Sequence, residues 1–437
     1  MTLCCNCGAA CQTDDELRTI DRPPGGGCRT NEKVVQAMNV ISQIERRLAR
    51  LGLPVSVSLW DGTTALPQTE AKIRLTVKTP AAVSSLANPS LGRIAKAYVE
   101  GEIDIEGDMR ETMLIGEKWV SAKPATYKKQ PKILNWWRHT RPADRKAIQH
   151  HYDVGNEFYE LWLDRNRVYS CAYFKDPADS LDLAQEQKLE HICRKLQLKA
   201  GERLLDIGCG WGALIIWAAR HYGVKAVGIT LSEEQHALAN QRIKELGLED
   251  SCEARLMDYR DVPQYETFDK IASVGMFEHV GKKNLPVYFG KIRDLLKSGG
   301  VVLNHGITTN SLEDGSLGSD IGKFVDEYVF PGGELVHVSR VIREMASNGL
   351  ESLDAESLRP HYAMTLWHWV SRLEANSKRA VDYVGEKRYR VWRIYMAGSA
   401  HAFDRGWISI YQILGAKPLA NGALPYPLTR AHVYRYN

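Results

Sequence analysis

No apolar run in the chain approaches the roughly 20 residues that a membrane-spanning helix needs. The first residues also lack the apolar core of a secretory signal, so a cytoplasmic protein is expected. Charge of one sign is not in excess either: 57 Lys and Arg against 53 Asp and Glu leave +4 at pH 7, too little to point to a nucleic-acid partner. After residue 28 cysteine is sparse. Cys171, Cys193, Cys209 and Cys252 stand singly, as suits a reducing compartment. Cys4, Cys5, Cys7, Cys11 and Cys28 crowd the start, and Cys4-x-x-Cys7 has zinc-ligand spacing, but no second C-x₂-C pair completes it and no metal is expected. Also missing is the G-x-G-x-x-G spacing that seats a pyrophosphate on a helix N-terminus.

In its place residues 204–212 read Leu-Leu-Asp-Ile-Gly-Cys-Gly-Trp-Gly. The apolar run, the glycines and the helical spacing that follows through Tyr222 predict strand, tight turn and helix. Glycine lets a ligand approach the main chain without meeting a Cβ. Asp206 inside the turn would repel a phosphate and attract a cationic or polar group. A second strand, Ala226 to Ile229, is followed by Ser232-Glu233-Glu234-Gln235, a capping box for the next helix.

The 437 residues allow two or three domains. Residues 1–33, rich in Gly and Pro near their end, are expected to be a disordered leader. Residues 34–115 combine a helical pattern to about Leu51, alternating strands at Val55–Trp60 and Ile73–Val77, and a helix from Pro89 to Glu100 with Asn88 as N-cap. That is a small α+β domain. Residues 116–146 form a basic, aromatic linker in which Lys118 to Lys146 includes Trp119, Trp136 and Trp137. Its two readings are a solvated connection and a contact with an anionic membrane surface, where Trp prefers the interface. From 147 onward strands alternate with helices, which implies a mostly parallel sheet covered on both faces, with ligands outside the carboxyl ends of the strands. Asp206, Asp258, Glu278 and His305 are all expected at such ends.

The blocks HYDVGNEFYELWLD, YSCAYF, LLDIGCGWG, GITLSEEQ, FEHVG and EYVFPGGEL, in this order, resemble the cyclopropane-fatty-acyl-phospholipid synthase family, which includes the mycolic acid cyclopropane synthases. The likeness runs from about Val34 to Leu414. It implies a class I, Rossmann-like α/β fold that binds S-adenosylmethionine (SAM), preceded by the small α+β domain, for which it suggests lipid or membrane binding. It implies methyl transfer to a cis double bond of a phospholipid acyl chain and loss of a proton to close a cyclopropane ring. Relatives that add a methyl branch, or that act on sphingolipids, share most of the blocks, and a lipid-binding module without catalysis is the remaining alternative.

By the resemblance, Tyr169, Ser170, Asp206, Gly208, Gly210, Thr230, Ser232, Gln235, Asp258 and Tyr259 contact SAM. Cys171, Glu278, His305, Tyr395 and the amide of Ile307 grip a bicarbonate ion that acts as base. The chemistry asks for such a site, because a carbocation formed on the lipid must be kept from water and a proton must then be removed. The implied partners are unsaturated membrane phospholipids and the anionic inner face of the membrane, reached peripherally, with a homodimer possible. No acid ends the second strand, as is usual in other methyltransferases, and Val336 stands where the family carries proline after Gly-Gly-Glu-Leu.

Overall fold

Two sheets organise the chain in the computed structural model, which describes residues 42–120 and 155–434 apart from 43, 47, 65–70, 88, 313–318 and 331–332. The leader and residues 121–154 of the linker and its sequel, including His150, His151, Trp136 and Trp137, lie outside the described residues.

The first sheet is small. Strands β1 (Val55–Ser58) and β2 (Ile73–Val77) pair in parallel, and β3 (Ile103–Gly107) pairs antiparallel with β2. Alternation puts Val55, Val57, Ile73, Leu75, Val77, Ile103 and Ile105 on the buried face. Helix α1 (Val83–Ala87) leads to α2 (Leu91–Val99), and α3 (Met109–Val120) follows β3. The α2 boundary differs from the sequence expectation. Ser90, not Asn88, is the N-cap, its hydroxyl accepting from Arg93 N at 3.2 Å, and Pro89 precedes the helix. Helix α3 also runs through the expected start of the linker. Trp119 lies on its inner face, 3% exposed, so this indole packs in the core and is not available to a membrane.

The second sheet has seven strands in the order β6-β5-β4-β7-β8-β10-β9. Helices α4 (Asn156–Glu160) and α5 (Leu181–Leu196) precede β4 (Arg203–Ile207). Then come α6 (Ala213–Tyr222), β5 (Lys225–Thr230), α7 (Glu233–Glu245), β6 (Cys252–Leu256) and β7 (Phe268–Val274), followed by α8 (Phe277–Val280), α9 (Leu285–Leu295) and β8 (Leu296–Thr309). Strands β4 to β8 are parallel. After α10 (Ser319–Tyr328) and α11 (Val338–Ser347), β9 (Glu351–Ser357) and β10 (Ile408–Ala416) bracket α12 (Arg359–Ala375) and α13 (Ser377–Asp404), and β10 is antiparallel to both of its neighbours. The strand order reverses direction between β4 and β7, which is where a ligand crevice is expected in such a sheet. This is the class I SAM-methyltransferase arrangement.

One feature of β8 departs from the sequence reading. The strand continues through His305, Gly306 and Ile307 to Thr309, because β10 pairs with it along that whole stretch. His305 is therefore mid-strand, level with Val274 at the end of β7.

Two arginines of α13 join the domains. Arg390 donates to Tyr98 O at 3.0 Å and pairs with Asp104 at 2.5 Å. Arg393 donates to the Tyr98 hydroxyl at 2.9 Å and to Ile105 O at 3.2 Å while paired with Glu374 at 2.7 Å. Breaking a buried, hydrogen-bonded ion pair leaves the partner groups without donors, and the usual cost of several kcal/mol is reduced where one carboxylate reaches solvent, as Glu374 does. Arg393→Met should thus lower stability by about 2–3 kcal/mol. In scanning calorimetry the residue 42–120 unit should melt ahead of the larger domain, and a single unshifted transition would contradict this role.

Candidate functional site: two joined cavities

At the carboxyl ends of β4, β5 and β7 lies a cavity of about 140 Å³. Its floor is the turn after β4, where Gly208 and Cys209 each donate an amide hydrogen to Ile229 O at 3.0 Å, closing the loop onto β5. Gly208, Gly210 and Gly212 all have positive φ, +86°, +54° and +82°, which side-chain-bearing residues rarely adopt. At Gly210 a Cβ would meet no atom within 4 Å, so the turn presents bare backbone to the cavity.

Asp206 stands under the turn, 3% exposed, with no hydrogen-bond partner for Oδ1 among the described residues. Burial raises its carboxyl to about 7, partly offset by the Lys188 ammonium. Tyr169, Ser170, Thr230, Gln235 and Tyr259 line the same space. Thr230 Oγ1 donates to Gln235 Oε1 at 2.8 Å, so the Gln235 side chain serves this wall and does not return to Ser232 to complete a reciprocal capping box.

Two expected residues are placed elsewhere. Ser232 spends its hydroxyl on the Gln235 amide at 3.3 Å as the N-cap of α7, buried away from the cavity. Asp258 is held by Arg260, whose amide and side chain reach it at 2.9, 2.8 and 2.6 Å, so its carboxylate stabilises a short turn, while its neighbours Met257 and Tyr259 line the cavity.

A residue that the sequence reading missed is Lys188. Its ammonium donates to Ser170 Oγ at 2.9 Å, and burial lowers it to about 8. The signal was present: Lys188 falls on the stripe of α5 that carries Leu181, Ala184, Ile192 and Leu196, where a lysine must find a polar partner.

A second cavity, of about 160 Å³, adjoins the first. Tyr169, Ser170, Val274, Gly275 and His279 belong to the walls of both. Of these two cavities Glu278, His305 and Tyr395 line only the second, among Ile307, Phe330, Leu366 and other apolar groups. Among the described residues the Glu278 carboxyl is tied at one oxygen only: Oε1 accepts from Ile307 N at 2.7 Å, while the buried Oε2 has no partner. Burial raises it to about 7. Gly306 makes this position possible, since a Cβ there would fall 2.1 Å from the Phe277 ring and 2.9 Å from Glu278 Oε2. His305 is 1% exposed and driven well below its ordinary range by burial, so its ring is neutral. Its Nδ1 lies 3.4 Å from Gln412 Nε2 on β10; with that amide as donor, the ring hydrogen sits on Nε2, which has no partner among the described residues.

Two members of the expected base site have protein partners. The Ile307 amide is engaged by Glu278, and Cys171 is turned away from the cavity, its thiol donating to Ala172 O at 3.2 Å and lying 3.8 Å from Leu358 O. Complete burial pushes that thiol far above its usual range, so it is not a thiolate.

Residues 139–413 match the family described as mycolic acid cyclopropane synthetase, and residues 46–121 match a domain of unknown function. The chain is 45% identical to a probable fatty acid methyltransferase of Pseudomonas putida over 396 residues, 91% of this chain and 100% of that one. It is 37% identical to the cyclopropane-fatty-acyl-phospholipid synthase of Escherichia coli over 284 residues, 62% of this chain and 68% of that one. The solved structure of a mycolic acid cyclopropane synthase complexed with SAH and CTAB aligns at 34% identity with a TM-score of 0.59, over 62% of this chain and 97% of that one.

A raised carboxyl in the fold has a defined effect on stability. The unfolded chain loses the Glu278 proton near 4.5 and the folded chain near 7, so the folded state is progressively penalised as pH rises across that interval and uniformly penalised above it. Glu278→Gln removes the penalty. The melting temperature of the variant should exceed the parent's at pH 8, and the difference should shrink toward pH 4.5. A difference independent of pH would contradict a buried, ionisable Glu278.

Proposed function

Because the chain belongs to the mycolic acid cyclopropane synthetase family of SAM-dependent methyltransferases, we propose that it transfers the SAM methyl group to a cis double bond of a fatty acyl chain. The observation that carries this reading is the common wall of the two cavities, formed by Tyr169, Ser170, Val274, Gly275 and His279, which sets a chamber holding Asp206, Thr230 and Gln235 against a more apolar one. The open backbone at Gly210 and the unpartnered Asp206 Oδ1 fit a ligand that carries a cationic amine and no phosphate. Asp206, Gly208, Gly210, Thr230, Gln235 and Tyr259 would hold SAM, with Tyr169 and Ser170 at the shared wall. When bound, SAM supplies an electrophilic methyl group.

The residues of the second cavity then have two tasks. Its apolar walls exclude water, which would otherwise add to the cation left on the acyl chain. Its polar groups take one proton from the newly attached methyl. If that loss is accompanied by bond formation to the cationic carbon, the product is a cyclopropane ring; if a hydride first moves along the chain, the product is a methylene branch of the same mass. The small domain does not favour the ring, since the probable fatty acid methyltransferase is matched along its full length. We therefore read the chain as a fatty-acyl C-methyltransferase, with ring closure as one outcome of its proton removal.

The donor set fits a bicarbonate base, with altered roles. An anion here needs hydrogen-bond donors, and Glu278 as a neutral acid, His305 through Nε2–H and the Tyr395 hydroxyl can supply three. Ile307 acts by fixing Glu278, and Cys171 forms the layer behind. This arrangement has a pH signature opposite to that of Glu278 as direct base. At a fixed, subsaturating bicarbonate concentration, turnover of cis-unsaturated phospholipid should fall as pH rises through about 7, because Glu278 then loses its donor hydrogen. Turnover that ignores bicarbonate and rises with pH over the same range would assign the base to Glu278 itself.

A further inference from the structure

A third cavity, of about 140 Å³, lies between the domains. One side comes from the small domain, with Ile73 and Leu75 of β2, Ala95 of α2 and Trp119 of α3. The other comes from α10, α13 and the start of β10, and there Val325, Tyr395, Ser399 and Ile408 are also walls of the catalytic cavity. Among the described residues no Lys, Arg, Asp or Glu lines it. Its one imidazole, His401, is turned to Glu117, with Nε2 3.1 Å from Oε2. Three glycines, Gly92, Gly116 and Gly398, sit on helices facing this space, where glycine costs about 1 kcal/mol relative to alanine. At Gly398 a Cβ would meet nothing within 4 Å.

We propose that this interdomain cavity receives the methyl-terminal part of the substrate acyl chain, beyond the double bond, so that the small domain gauges tail length. The inference rests on the acyl-chain reading above. Orientation follows from the lining: a charged head group would find no Lys, Arg, Asp or Glu among the described residues here and only scattered hydroxyl, indole and imidazole groups, whereas the catalytic cavity reaches solvent near the exposed Gly333. A chain entering at Gly333 passes Glu278 and His305 and continues past Tyr395 and Ser399 into the third cavity. The apolar walls reward each buried methylene by about fourfold in apparent affinity.

The test uses cis-unsaturated acyl substrates that share one double-bond position and differ by two methylenes in the tail beyond it, kept below their micelle concentration so that the tail is transferred from water, offered in competition and read by mass spectrometry. The parent should favour the longer tail by roughly 15-fold, and Gly398→Leu, which fills the cavity from a position compatible with helix, should abolish or invert that preference. An unchanged preference in a folded Gly398→Leu protein would overturn the proposal. A second measurement needs no turnover and so separates this inference from the acyl-transfer reading: quenching of tryptophan fluorescence by a cis-unsaturated fatty acid brominated at its methyl end. Quenching that is reduced in Trp407→Phe supports the assignment, because Trp407 lines the interdomain cavity; quenching that is absent, or indifferent to Trp407, defeats it.

Discussion

A carboxyl group fastened at one oxygen and left free at the other, in a chamber lined mainly by apolar groups, is the constraint on which the rest of the site depends. Glu278 owes its place to three local facts. The turn after β7 carries it toward β8, the Ile307 amide holds Oε1, and Gly306 offers no Cβ to obstruct the approach. Without the amide the buried group would have no compensation at all. With it, the acid remains poised near neutrality, able to present a hydrogen to an anion or to give it up.

The same economy extends outward. His305 is fixed between β7 and β10 because β8 runs on past the point where its neighbours end, and the antiparallel β10 supplies Gln412 to steady the ring. Behind the aromatic wall, Tyr159, Trp162, Tyr169, Trp369 and Trp392 pack with ring centroids 5.3 to 6.1 Å apart, a rigid backing for the Tyr169 face shared by the two cavities. On the other flank Arg390 and Arg393 lock the small domain against α13, the helix that also carries Tyr395. Domain union and site geometry are therefore one structural problem.

Much of this was legible in the chain because it is local. The glycine turn, the capping serine of α7, the alternation of β2 and the strand at Phe268–Val274 each depend on residues a few positions apart, where period and turn chemistry speak directly. What could not be read were partners chosen by tertiary structure. Nothing near Ile307 says that its amide will meet a carboxylate 29 residues earlier, whereas the link from Asp258 to Arg260, two residues on, is local. The extent of β8 depends on β10, which lies about a hundred residues later. Lys188 is the instructive intermediate case, since its helical position marked it as buried before any partner was known.

The central claim, that the chain adds a methyl to an acyl double bond and then removes a proton from that same methyl, is tested most directly by isotope retention. Purified protein would be given SAM bearing a fully deuterated methyl group together with vesicles of cis-unsaturated phospholipid, and the acyl chains analysed by mass spectrometry. The account predicts an acyl product that keeps two of the three deuterium atoms, whether ring or methylene branch is formed. Acyl chains that retain all three, or that carry no label while SAM is consumed, would contradict it.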